Sequence, residues 1–193
     1  LSVKAQSYIG CSEVPPIVIN ENALFVQARG NSVRDLNYNY TIDGFSGNDI
    51  SLFADHLFEG YEILDWCYQA IPNSNVWAVR DDGKLLCLTY LKEQEVLGWS
   101  VHDFQDAKVK SVACIPGDTE DIVYLLLERT INGKTVQYVE YFSSRFFDKE
   151  KQKEVITDAS ATAEIRNYSG LEEATFCDSA IYFDGRNFNK TKK

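Results

Sequence analysis

The sequence predicts an all-β fold of short antiparallel strands grouped into repeated blades, and three stretches carry that reading. Ile71-Pro72 leads into strand residues 76–80, the turn Asp81-Asp82-Gly83, and a second strand over 84–90. Ile115-Pro116 leads into 122–127, the turn Asn132-Gly133, and a second strand over 134–141. A looser copy precedes them: Pro15-Pro16-Ile17-Val18-Ile19, then 24–28, Gly30-Asn31 and 33–40. Units of roughly 45–50 residues built from short strands are the sequence signature of β-propeller blades. Such a fold is a scaffold first and an active site only sometimes.

Each element follows from local chemistry. Asp82-Gly83 and Asn132-Gly133 are pairs that tolerate the positive φ angles of a type I′ turn, whose twist matches the flanking strands. The flanks are rich in Val, Leu, Tyr, Phe and Trp, the side chains that pack best on a pleated surface. Residues 1–45 read as short strands with turns at Gly10, Gly30-Asn31 and Asp43-Gly44. Ser46 to Gly60 departs from the pattern. There Asn48 or Asp49 is placed to cap a helix, Ile50, Leu52, Phe53 and Leu57 recur at helical spacing, and Gly60 is placed to stop it. The spacing predicts one short helix over 49–58, an insert at 46–60 within a blade region spanning 1–147. Residues 148–170 read as a charged inserted loop. Residues 171–193 hold a last strand and turn followed by a basic tail.

Composition narrows the function classes. With 193 residues, 45% hydrophobic and 25% charged, the chain has the make-up of a globular domain. It begins at Leu1, contains no Met and shows no apolar leader, which suggests an internal piece of a longer polypeptide. Closing a propeller ring takes about four to eight blades, more than this chain supplies. No apolar run approaches the ~20 residues that cross a bilayer as a helix. A net charge of −10, with basic residues scattered, argues against tight nonspecific DNA binding, which needs clustered cations to displace counterions. The same charge suits a surface that lets a polyanion pass.

Candidate chemistry is sparse. The five cysteines (Cys11, Cys67, Cys87, Cys114 and Cys177) are widely spaced with no C-x-x-C, and read as small apolar residues in a reducing compartment. His56 and His102 lack the companions of a triad or metal centre. Asp81 and Asp82 are explained by the turn, since paired glycosidase carboxylates come from separated strands. Arg29, Arg34, Arg80 and Arg129 recur near turns and are expected in solvent or in ion pairs. The tryptophans and tyrosines, at strand spacing, are expected between packed sheets. The structural motif therefore comprises Trp77, Asp82, Gly83, Trp99, Asn132, Gly133 and Tyr138, with no catalytic, cofactor-binding or metal-ligating residue.

Several stretches carry a family likeness: Leu24-Phe25-Val26-Gln27-Ala28-Arg29-Gly30 with Val33-Arg34-Asp35-Leu36, and Asn48-Asp49-Ile50 with Ala54-Asp55-His56-Leu57. The longest runs from Trp77-Ala78-Val79-Arg80-Asp81-Asp82-Gly83 through Leu88-Thr89-Tyr90 to Gly98-Trp99, and Cys177-Asp178-Ser179 with Tyr182-Phe183-Asp184-Gly185 continues it. In these the chain resembles the tail tubular protein B, or tail nozzle, family of short-tailed bacteriophages and prophages, whose members are longer. The resemblance implies a non-enzymatic structural virion protein without cofactors. It would be assembled in the host cytoplasm into a homo-oligomeric, hexameric ring beneath portal and adaptor proteins. That ring holds the genome and conducts DNA during ejection without binding its sequence. Two other readings stay open: a carbohydrate- or receptor-binding propeller with sugar against Trp77 or Trp99, and a propeller glycosidase with several Arg and a Glu–Tyr pair converging on one axis.

Overall fold

The computed structural model describes residues 8–29, 31–41, 43–104, 107–143 and 180–182. Its twelve strands form three four-stranded antiparallel sheets, each an up-and-down meander of strands in sequence order. The first sheet holds β1 (Ile17–Ile19), β2 (Asn22–Val26), β3 (Val33–Asn39) and β4 (Gly44–Asp49). The second holds β5 (Ile63–Gln69), β6 (Asn75–Arg80), β7 (Leu85–Leu91) and β8 (Val96–His102). The third holds β9 (Ala107–Pro116), β10 (Asp121–Ile131), β11 (Lys134–Phe142) and β12 (Ala180–Tyr182). None of the sheets closes on itself. The three copies seen in the sequence are thus the middle hairpins of the sheets, β2–β3, β6–β7 and β10–β11.

Strand alternation decides how the sheets stack. Across the second sheet, Trp66, Ala78 and Leu86 stand in one row and Cys67, Trp77 and Cys87 in the next, on the opposite face. The first row joins Leu24, Val26, Val33, Phe58 and Leu88 in a core shared with the first sheet. The second row joins Val109, Val112, Val123, Leu125 and Leu127 in a core shared with the third. The middle sheet is therefore covered on both faces, and all six residues of β6 are buried. That double burial explains why β6 and β7 read as nearly unbroken apolar runs instead of alternating ones.

Two local expectations change. The helix expected over 49–58 is a 3-10 helix, Leu52–Leu57, with non-helical backbone at Ala54. Asp49 does not begin it but ends β4, paired with Arg34 across the sheet, and its Oδ1 accepts from the Ser51 amide at 2.9 Å. Of the apolar stripe, Ile50 is buried whereas Leu52 and Phe53 point outward, so the insert packs through Ile50, Ala54 and Phe58. The turns differ too. Asn132-Gly133 is a two-residue turn with both residues at positive φ, +52° and +73°, as a type I′ turn requires. Asp81-Asp82-Gly83 is instead a three-residue loop. Gly83 N–H donates to Arg80 O, Arg80 N–H donates to Lys84 O, and only Gly83 has positive φ, +92°. The loop expected over 148–170 and most of 171–193 lie outside the described residues. Within the latter, β12 pairs with β11, Tyr141 standing opposite Ile181.

Gly83 also carries the seam between the second and third sheets. Its carbonyl accepts from the Val109 amide at 2.8 Å, and a Cβ placed on it would lie 2.6 Å from Lys108 Cβ. Both the left-handed φ and this backbone approach require glycine. Gly83→Ala is expected to lower unfolding free energy by about 2–3 kcal/mol in urea titration. An unchanged midpoint would contradict the contact.

Candidate functional site

The polar groups of this protein collect at the seams between sheets. At the first seam, Trp66 Nε1 donates to Pro15 O at 2.6 Å and Trp99 Nε1 donates to Ile50 O at 2.9 Å. Lys92 Nζ donates to Asp35 Oδ2 and Asn22 Oδ1, both at 2.7 Å. Asp35 is almost wholly buried, and the Asn48 amide satisfies its other oxygen. Nearby, the Tyr90 hydroxyl is buried without a hydrogen bond of ordinary geometry. Burial first, and the Asp35 charge second, push its pKa up. Arg80 reaches the same seam from β6: it grips Asp82 with two nitrogens, donates to Leu57 O at 2.8 Å, and lies 3.6 Å over the Tyr61 ring.

The Arg80–Asp82 pair has a pH consequence. The Arg80 hydrogen bonds hold the Asp82 carboxyl below its ordinary 3.8. A depressed folded-state value means that the pair stabilises the fold above the unfolded value and is lost as pH falls through the folded one. The stability gap between the native chain and Asp82→Asn is therefore expected to be constant above about pH 5 and to shrink below 3.8. Thermal midpoints across that range measure it.

At the second seam, the end of β5 and the start of β10 are locked together. Asp121 Oδ2 accepts from the amides of Ala70 (2.8 Å) and Ile71 (3.0 Å), Gln69 Nε2 donates to Asp121 O (2.8 Å), and Trp77 Nε1 donates to Gln69 Oε1 (3.0 Å). Beside this lock opens a cavity of about 150 Å³, whose lining includes Trp77, Phe142, Asn73, Asn75 and Glu120. The Glu120 carboxylate makes no hydrogen bond or ion pair among the described residues. Asn75 is buried and accepts from Thr89 Oγ1 at 3.2 Å. Deeper in the third sheet, Arg129 binds Glu140 through two nitrogens at 2.7 and 2.9 Å, and Glu140 is fully buried.

The same seam brings two cysteines together. Cys67 on β5 and Cys114 on β9 both pack against the second core, where their thiols interact. The interaction between the two thiols, reinforced by burial, raises the Cys67 pKa, and it lowers the Cys114 pKa against the opposing effect of burial. The wide spacing of these cysteines in the sequence carries no sign that they meet. Cys87 is buried and Cys11 is exposed, and Cys177 lies outside the described residues.

Of the sequence-derived motif, Trp77 is buried in the second seam, Tyr138 is buried in the third sheet opposite Leu127, Trp99 packs edge-on against Phe58 at 4.8 Å, and Asp82 is tied to Arg80. Gly83, Asn132 and Gly133 sit in hairpin turns. His56 is exposed on the 3-10 helix, whereas His102 ends β8 with its ring 5.1 Å from Trp77. Arg34, Arg80 and Arg129 lie in three different sheets, each beside a carboxylate of its own sheet. No group of three or more His, Cys, Asp and Glu among the described residues is placed to hold a metal, and no described helix is long and apolar enough to cross a membrane.

The class this geometry defines is an all-β protein of three face-packed antiparallel meanders. In comparison with known proteins, the chain matches no family model and no curated sequence.

Proposed function

We propose that this chain is a structural, non-enzymatic part of a phage tail nozzle, its three sheets acting as consecutive blades of a propeller-like scaffold. The observation that carries the reading is the middle sheet, covered on both faces by sheets of the same order and handed on in sequence. Stacked meanders of this kind are how propellers build rigidity without a closed sheet. The outer face of the third sheet supports oligomeric assembly. Tyr124 stands beside Tyr141 and Leu126 beside Val139 on the side away from Leu125 and Leu127, and Ile115 and Val139 are about half exposed. That row has the character of the rows already buried at the two seams, and a further blade or a neighbouring subunit would cover it. The net charge of −10 supports a surface past which DNA slides.

Negative-stain imaging of the protein mixed with the adaptor of a short-tailed phage tests the proposal. Rings of about six copies seated on the adaptor are expected, and particles that stay monomeric with adaptor present would refute it.

The cavity at the second seam favours one alternative, recognition of a single sugar ring. A lining that combines aromatic rings with a carboxylate and amides suits a sugar ring, which has an apolar face and a hydroxyl rim. Trp77 and Trp99 themselves are no open platform, since Trp77 is buried and the indole N–H of Trp99 is committed to Ile50 O. Saturation-transfer NMR with free monosaccharides, on the native chain and on Glu120→Gln, separates the readings: a signal lost in the variant belongs to the sugar site.

A further inference from the structure

The alignment of β5 and β9 is fixed by contacts that do not involve sulfur. Asp65 Oδ2 accepts from Ser111 Oγ at 2.6 Å and from the Val112 amide at 3.1 Å. Two residues further along β5 stands Cys67, and two beyond Val112 on β9 stands Cys114, both half-buried against the second core. Walking in step from the Asp65 contact, the two strands thus present their thiols to each other. We propose that Cys67 and Cys114 form a redox-modification site, in which oxidation joins the two sulfurs and staples β5 of the second sheet to β9 of the third.

The oxidant is a peroxide. The Cys114 thiolate attacks one peroxide oxygen, giving a sulfenic acid and releasing the other oxygen, which takes up a proton as water. The Cys67 sulfur then attacks the Cys114 sulfur, its proton leaves with the sulfenic oxygen as a second water, and the S–S bond closes. Two thiols lose two electrons and the peroxide gains them. Cys114 suits the first attack because its thiolate is the favoured form of the pair. Cys87 is set apart from this chemistry, since it lies two strands away from β5 with Trp77 between it and Cys67. The site stands on the contact between sheets alone and is independent of the nozzle reading.

Treating the native chain with a small excess of hydrogen peroxide, then alkylating in denaturant and mapping peptides by mass spectrometry, reads the site directly. A Cys67–Cys114 linked peptide is expected, with Cys11 and Cys87 alkylated. The thermal midpoint should rise by roughly 5–15 °C and return on adding dithiothreitol, because the link closes a long loop of the unfolded chain. Cys114→Ser should show neither link nor rise, and Cys67→Ser gives the same readout should Cys114→Ser not fold. Both thiols alkylated after peroxide, or a link through Cys11, Cys87 or Cys177, would overturn the assignment. A linked chain with an unchanged midpoint would overturn the stapling.

Discussion

Arg129→Ala is expected to remove about 3–5 kcal/mol of unfolding free energy, because it strands a carboxylate in the core. Glu140 lies on the inner face of β11, opposite Leu125 and next to Tyr138 in the same row, and is fully buried. Its two oxygens are bound by Arg129 alone among the described residues. A buried carboxylate without a partner costs several kcal/mol, more than the pair itself contributes relative to an apolar filling. The double variant Arg129→Leu with Glu140→Leu is therefore expected to recover most of the loss. Urea titration of the native chain and both variants measures the effect. An Arg129→Ala loss below about 1 kcal/mol, the range of an exposed pair, would mean that water reaches Glu140.

That pair shows where sequence reading stopped. The three middle hairpins were legible because Gly-containing turns and β-branched and aromatic flanks act locally. Asn132-Gly133 needs no tertiary context to turn, and Val76 to Val79 is apolar at every position. Glu140 sits in a run, Tyr138-Val139-Glu140-Tyr141, that looks like a strand with an outward carboxylate. Only the row it shares with Tyr138, opposite Leu125 and Leu127, turns it inward. Such a signal becomes readable once the register of β10 against β11 is known. The insert at 46–60 went the other way: Asp49 has the chemistry of a helix cap, but pairing of β4 with β3 recruited it first. The Cys67–Cys114 contact was out of reach for a different reason. It joins strands of separate sheets, and nothing in the spacing of either cysteine encodes how those sheets stack.

Stacking also makes the two faces of the second sheet separable by experiment. Trp77→Ala is expected to cost about 3–5 kcal/mol, the range for emptying a large aromatic site in a core. The indole is 2% exposed, touches Phe142 at 4.8 Å and His102 at 5.1 Å, and satisfies Gln69, whose Oε1 would be left without its donor. All of these contacts belong to the side facing the third sheet. Trp66, on the neighbouring strand but in the opposite row, is tied to Pro15 and the first sheet. Native-state hydrogen exchange should therefore distinguish the two variants. Trp77→Ala should speed exchange most in β9, β10 and β11, and Trp66→Ala most in β2 and β3. Equal acceleration of all three sheets by either variant would mean that they open as one cooperative unit, and the independent seams inferred from the two cores would have to be given up.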